Sequence, residues 1–258
     1  MSAKPKCRML VYQTDNIGDI VQAIALSRLL PQAQGLMRDS FLYDQRPDLP
    51  TVVHGFLYKP MRKRLGDNCL FAGVHLYAGT PVQDFLPWLM ASPWPVGVRD
   101  PWTEGKLRGA GFENVVMVGC PTVTLPRYEG PRKGEYAVDA DGPGERLSHG
   151  GWEKKSVTAQ WEAALGLMKK YRSAKLVTTN RLHVALPCLA YGTPVRIVWK
   201  HVWQDVRLSI LRKLGVKDGE VSAVNLKVVA DRYRAFIKQH LKMLDGTGEA
   251  KLPVIERA

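Results

Sequence analysis

The chain has 258 residues, 45% apolar and 24% charged, and 37 Lys and Arg against 24 Asp and Glu give a net charge of +13. That length buries a real core in one large domain or two small lobes, and the composition excludes a disordered chain. The longest apolar runs, such as Leu182 to Tyr191, are too short for a membrane span, and Met9–Tyr12 is too short for a signal-peptide core. A cytoplasmic protein without a transmembrane segment is expected.

The charge is uneven. Residues 1–125 carry 13 basic and 10 acidic groups (+3), and residues 126–258 carry 24 and 14 (+10). Such an excess suits either a solvated basic surface or polyanionic partners: anionic glycans, nucleotides, nucleic acid or acidic membrane. Arg62–Lys63–Arg64 is the densest cluster, without the interleaved aromatics of a nucleic-acid platform. Cys7, Cys69, Cys120 and Cys188 are scattered with no CxxC pair, which argues for buried free thiols over a zinc cage or redox motif.

In chain order, Met9–Gln13 reads as a buried strand, Asn16-Ile17-Gly18-Asp19 as a turn, and Ile20 to Leu30 as a helix stopped by Pro31. This strand, loop and helix opens a Rossmann-like unit. Thr51–His54, Cys69–His75, Val96–Val98 and Val115–Val118 are short apolar strands, with a helix over Thr103–Gly109. Thr124 to Gly134, rich in Pro, Gly and charge, reads as a linker. A second lobe follows: strand Tyr136–Asp139, Gly-rich loop Asp141–Gly151, helix Ser156–Tyr171 with Ser156 as its cap, strand Ala174–Thr179, helix Leu182–Ala190, strand Val195–Trp199, and helices Val206–Leu214 and Leu226–Leu244. The tail after Gly246 reads as loose. The expected fold is α/β, with two Rossmann-like lobes at 1–125 and 126–258, parallel sheets and a cleft between them. Ligands on open α/β sheets sit outside the carboxyl ends of the strands, so chemistry is expected in the loops there.

Thr179-Asn180-Arg181-Leu182-His183 is the richest such loop. It offers a guanidinium fork, a helix N-terminus and an imidazole, which together suit an anion and a proton transfer. Gly97-Val98-Arg99-Asp100 repeats the layout, with Arg99 for an anion and Asp100 as its ion-pair partner or a helix cap. In the first turn Asn16, Gly18 and Asp19 fit either a site orienting an acceptor hydroxyl or a capped turn, and no GxGxxG or Walker pattern is present. Thr122, beside Cys120, can line a cleft, and Cys120 itself reads as structural. His75 closes an apolar strand and is a candidate base, with His149 a weaker one. Asp205 and Arg207 read as a local ion pair, and Trp199 and Trp203 as exposed rings for stacking or core packing. No carboxylate cluster has metal spacing, so no metal is expected.

Taken in order, Asn16-Ile17-Gly18-Asp19 with Gln22-Ala23-Ile24-Ala25, Gly97-Val98-Arg99-Asp100 with Thr103 and Leu107, Gly119-Cys120-Pro121-Thr122-Val123-Thr124-Leu125, and Ala174 to His183 followed by Ala185-Leu186-Pro187-Cys188-Leu189-Ala190 resemble the polysaccharide pyruvyl transferase family. The resemblance runs from Asn16 to about Gly215. It implies a GT-B-like fold, phosphoenolpyruvate as co-substrate with no other cofactor, and a pair of hydroxyls on a sugar or anionic glycan as acceptor, giving a ketal in polysaccharide biosynthesis. It ties activity to Arg99, Arg181, Leu182 and His183; beside these, Thr179 and Asn180 are expected at the donor and Asn16, Gly18, Asp19 and Thr122 at the acceptor. The chain is short for the family, and Asn180 and Pro121 depart from its branch pattern. Two other readings stand beside it. One is a GT-B-like glycosyltransferase using a nucleotide sugar on a glycan or nucleic-acid acceptor. The other is a non-enzymatic module for anionic polymers.

Overall fold

A computed structural model describes residues 6–38, 49–58, 68–199, 206–241 and 255–256. The Arg62–Lys63–Arg64 cluster, Trp203, Asp205 and the tail after Gly246, apart from 255–256, lie outside the described residues.

The first half alternates β1 (Cys7–Val11), α1 (Gly18–Leu29), β2 (Ala33–Met37), β3 (Thr51–Leu57), β4 (Cys69–Leu76), α2 (Val82–Ala91), β5 (Val96–Val98), α3 (Pro101–Gly109) and β6 (Val115–Met117). With β12 (Ile255–Glu256) they form one sheet in the order β12-β2-β1-β3-β4-β5-β6, every pairing parallel. β1 and β4 are buried throughout, as near-continuous apolar strands covered on both faces must be. Sequence patterning assigns no element to Ala33–Met37 or Val82–Ala91. β2, Ala-Gln-Gly-Leu-Met, has little strand propensity and forms because β1 pairs along its whole length. α2 carries Pro87 within it, which masks the helical signal.

The second half contains β7 (Glu135–Val138), β8 (Glu145–Leu147), α4 (Val157–Arg172), β9 (Leu176–Thr179), α5 (Leu182–Tyr191), β10 (Val195–Ile197), α6 (Ser209–Lys213), β11 (Val221–Ser222) and α7 (Lys227–Leu241). The sheet order is β11-β10-β9-β7-β8, parallel except for the edge strand β11, which runs antiparallel to β10. The expected loop Asp141–Gly151 therefore contains a strand, β8. Its Glu-Arg-Leu sequence is mostly exposed at the sheet edge and lacks the apolar signature of an inner strand.

Both sheets feed one continuous apolar cluster, which joins Met9, Ile20 and Ile24 to Trp161, Met168 and Leu186. α1 is buried along almost its whole length, as expected for a helix apolar on nearly every side. α7 comes after the second sheet in sequence yet packs on the first: Tyr233 Oη donates to the Ala72 carbonyl at 3.0 Å, and Arg234 donates to the Thr124 carbonyl at 2.7 Å. Gly97 permits this contact, since a Cβ there would lie 2.9 Å from the Phe236 ring. Among the described residues no helix is long and apolar enough to cross a membrane.

Ser156 caps α4 as its sequence position predicts, accepting from the Ala159 N–H at 3.2 Å. Ser156→Ala is expected to lower unfolding free energy by about 1 kcal/mol. The check is urea denaturation, with a lower midpoint at unchanged slope; an unmoved midpoint would show that the cap contributes nothing.

Candidate functional site

In each sheet the strand order reverses once, between β1 and β3 in the first and between β7 and β9 in the second. Such switch points open a crevice at the carboxyl ends of the strands. A cavity of about 380 Å³ is lined from both halves: Asn16, Asp19, Phe56 and Arg99 come from the first, and His149, Asn180, Arg181, Leu182, His183, Trp199, Arg207 and Leu208 from the second. The two halves are also bonded directly beside it. The Asp15 carboxylate accepts from the N–H groups of Gly151 (2.6 Å) and Trp152 (3.1 Å), and the Ile17 N–H donates to the His149 carbonyl at 2.9 Å.

Arg99 follows β5 and is 2% exposed. Its Nε donates to Asp100 Oδ2 at 3.2 Å, and its buried Nη2 has no hydrogen-bond partner among the described residues. Asp100 does both things its sequence position suggested: it pairs with Arg99 and caps α3 by accepting from the Thr103 N–H at 3.0 Å. It also accepts from His75 Nδ1 at 2.6 Å. Burial alone would raise the Asp100 carboxyl, but the His75 hydrogen bond and the Arg99 charge outweigh it and hold it below the usual carboxylate range. His75 is 1% exposed, stacked on Phe56 and tilted against Trp102, and is not one of the side chains lining the cavity. Burial, then the Arg99 charge, lower its pKa, so it stands behind Arg99 as a neutral support for Asp100.

Arg181 has the matching arrangement in the second half. Its Nε donates to Asp139 Oδ2 at 2.8 Å, and its side chain stays 37% exposed. Asp139 follows β7 with a φ of 51°, a left-handed conformation that aspartate tolerates better than most residues. It also accepts from the His149 N–H and the Ser148 hydroxyl. These donors and the Arg181 charge overcome the upward push of burial and lower the Asp139 carboxyl. Asn180 donates to the Asp139 carbonyl at 2.5 Å. Thr179 is fully buried; its hydroxyl accepts the Arg181 N–H and donates to the Val138 carbonyl, so it shapes the turn without lining the cavity.

His183, the second residue of α5, has non-helical dihedrals (φ −85°, ψ 16°). Pro187, four residues on, supplies the reason: it has no N–H for the His183 carbonyl, and its ring crowds that carbonyl. Gly18 lets α1 approach, since a Cβ there would lie 3.1 Å from His183 Cβ. His183 is 9% exposed, and burial, then the Arg99 charge, drive its pKa well below the ordinary value. It is a neutral imidazole near pH 7. Asn16 accepts the Gly18 N–H at 2.9 Å, closing the first turn, while Asp19 accepts from Thr14 and Gln22. Burial raises the Asp19 carboxyl against the opposing charges of Arg38 and Arg99. Thr122 is fully buried and donates to Cys120 Sγ at 3.1 Å, outside the cavity lining.

The structure thus brings Asn16, Asp19, Arg99, Asn180, Arg181, Leu182 and His183 to one cavity, with Gly18 beneath His183. It sets His75, Thr122 and Thr179 behind its wall. Sequence reading missed Phe56, Leu208 and the cavity position of Arg207. Nothing local marks them, because each reaches the site through tertiary packing. Trp199, which the sequence left open between stacking on a ligand and core packing, is 8% exposed and lines the cavity, with Arg212 over its ring at 6.0 Å.

A family model described as Polysaccharide pyruvyl transferase matches residues 72–201, half of the 258-residue chain. No curated protein matches. A crystal structure of a functionally uncharacterised protein from Klebsiella pneumoniae is similar at a TM-score of 0.52 and 15% identity, over 81% of this chain and 88% of that one, and shares the fold. A Listeria monocytogenes structure described as a UDP-N-acetylglucosamine 2-epimerase aligns over 97% of this chain and 93% of its own, at 11% identity and a TM-score of 0.45, a likeness too slight to build on.

The buried histidines predict acid lability. Burial lowers His54 and His149 to about 4 from the ordinary 6.5. Between those values the unfolded chain binds more protons than the folded one, so stability falls as pH falls through that window. Each group contributes roughly 3 kcal/mol across it. His75 and His183 act in the same direction, and the raised Asp19 carboxyl opposes them. Urea unfolding is expected to show a stability loss of several kcal/mol between about pH 7 and about pH 5; a flat profile would contradict neutral buried imidazoles.

Proposed function

The chain belongs to the polysaccharide pyruvyl transferase family, and from that premise we propose that it transfers a pyruvyl group from phosphoenolpyruvate to two hydroxyls of one sugar, forming a ketal. The observation that carries the donor assignment is the pair Arg99 and Arg181. Each lines the cavity and each is held at Nε by a carboxylate, Asp100 or Asp139. A guanidinium fixed through Nε keeps its terminal nitrogens for a second anion. Two such groups in one enclosure match a donor with a carboxylate at one end and a phosphate at the other, and Arg207 adds a third positive charge to the wall. The volume of about 380 Å³ lies within the usual range for small-ligand sites.

In the proposed reaction the first hydroxyl adds to the enol carbon as the methylene takes up a proton. The carbon–oxygen bond to phosphate then breaks, and the second hydroxyl closes the ketal. Of the two hydroxyl protons, one ends on the new methyl group and the other on phosphate. Negative charge builds on the departing phosphate, where preorganised cations act with greatest effect. Arg99 and Arg181 supply that charge. His183, neutral and lining the same cavity, supplies an N–H to the phosphate oxygens, a role open to an uncharged imidazole. Asn16 and Asp19 line the same cavity and orient the acceptor hydroxyls.

The test is calorimetric titration of phosphoenolpyruvate into wild type and Arg181→Ala, with nucleotide sugars in parallel. Wild type is expected to bind phosphoenolpyruvate saturably. Loss of the charge-assisted contacts of Arg181 is expected to weaken binding by roughly 10- to 100-fold. Binding of a nucleotide sugar in place of phosphoenolpyruvate would move the reaction to glycosyl transfer.

A further inference from the structure

Gln22 lies in α1, fully buried, four residues beyond the glycine that lets His183 approach. A side-chain amide in such a place must find partners for both ends. Its Nε2 donates to Asp19 Oδ1 at 3.2 Å, and its Oε1 accepts from Cys120 Sγ at 3.6 Å. Burial raises the Cys120 pKa, so the thiol keeps its proton and serves as the donor. The Thr14 hydroxyl is also turned toward the Asp19 carboxylate, at 3.4 Å from Oδ2. With Asp19 ionised, turning the Gln22 amide over would set its oxygen against the carboxylate oxygen of Asp19, two acceptors facing each other. The amide therefore has one orientation, and in that orientation Nε2 also lies 3.5 Å from His183 Nδ1.

An N–H aimed at a ring nitrogen requires a lone pair on that nitrogen. We propose that Gln22 is a positioning residue, which fixes the His183 imidazole as the tautomer with Nδ1 bare and the proton on Nε2. Nε2, the other polar atom of this cavity-lining residue, is buried and has no partner among the described residues. The consequence, which rests on the proposed pyruvyl transfer, is that His183 meets the donor as a hydrogen-bond donor and not as a base. Cys120 also acquires a role, because its thiol, backed by the Thr122 hydroxyl at 3.1 Å, holds the far end of the amide.

The experiment reads the tautomer directly. Uniformly nitrogen-15-labelled protein, without ligand and near neutral pH, gives long-range correlations from each imidazole, and loss of one set in His183→Asn assigns His183. The expected wild-type pattern is a bare Nδ1 and a protonated Nε2. Gln22→Met keeps the side-chain length and removes the amide, and is expected to shift His183 to a mixture of tautomers or to the Nδ1–H form. A wild-type His183 protonated at Nδ1 overturns the proposal even if the variant does not fold. An unchanged Nε2–H pattern in folded Gln22→Met overturns it as well. Because the reading needs no ligand, failure of phosphoenolpyruvate to bind would overturn the donor assignment and leave the role of Gln22 standing.

Discussion

The guanidinium of Arg99 sits at 2% exposure with Asp100 against its Nε and Nη2 unpartnered among the described residues. Removing a cation from water costs several kcal/mol unless charges and hydrogen bonds replace the lost hydration, and Asp100 is shared: it also caps α3 and accepts from His75. One carboxylate thus holds a helix start, an imidazole and an arginine in fixed relation. Arg181 and Asp139 repeat the scheme in the second half with greater exposure. The result is a cavity whose cations are oriented from behind and whose open side favours an anion.

Fold topology makes that pairing possible. The reversal of strand order in each sheet accompanies a convergence of the turn after β1 and the loops after β8 and β9 on the same cavity. The Asp15 contacts to Gly151 and Trp152 lock those loops together across the two halves. A shared apolar cluster beneath, built on α1, α4, α5 and α7, gives the loops a rigid base. Within α5, Pro187 bends the chain at His183 and so sets the backbone of a cavity-lining imidazole that meets Gln22. Local sequence chemistry, packing and site geometry meet at that residue.

Much of this was legible in the sequence, and physical reasons mark where legibility stopped. The strands at Cys69–His75 and Val96–Val98, the cap at Ser156 and the double duty of Asp100 are local signals, carried by apolar runs and capping residues a few positions apart. Arg99, Arg181 and His183 stood out because strand ends that open helices are where α/β folds place their chemistry. β2 was silent because its stability comes from β1, and β8 because an edge strand needs no apolar face. His75 reads as a strand-end base, but Phe56 and Trp102 cover its ring, and no local pattern announces a cover supplied from elsewhere in the chain. Arg207 reads as half of an ion pair with Asp205, which lies outside the described residues; only tertiary packing brings Arg207 to the cavity. The seating of α7 on the first sheet is equally non-local, since a sequence shows an amphipathic face and not what that face meets.

The most direct measurement is a crystal structure of the protein with phosphoenolpyruvate bound. The proposed reading predicts the donor in the cavity between Arg99 and Arg181, its carboxylate on one guanidinium and its phosphate on the other, with His183 Nε2 within hydrogen-bonding distance of a phosphate oxygen. A donor seated elsewhere, or in the cavity with either arginine still turned only to its own carboxylate, would contradict it.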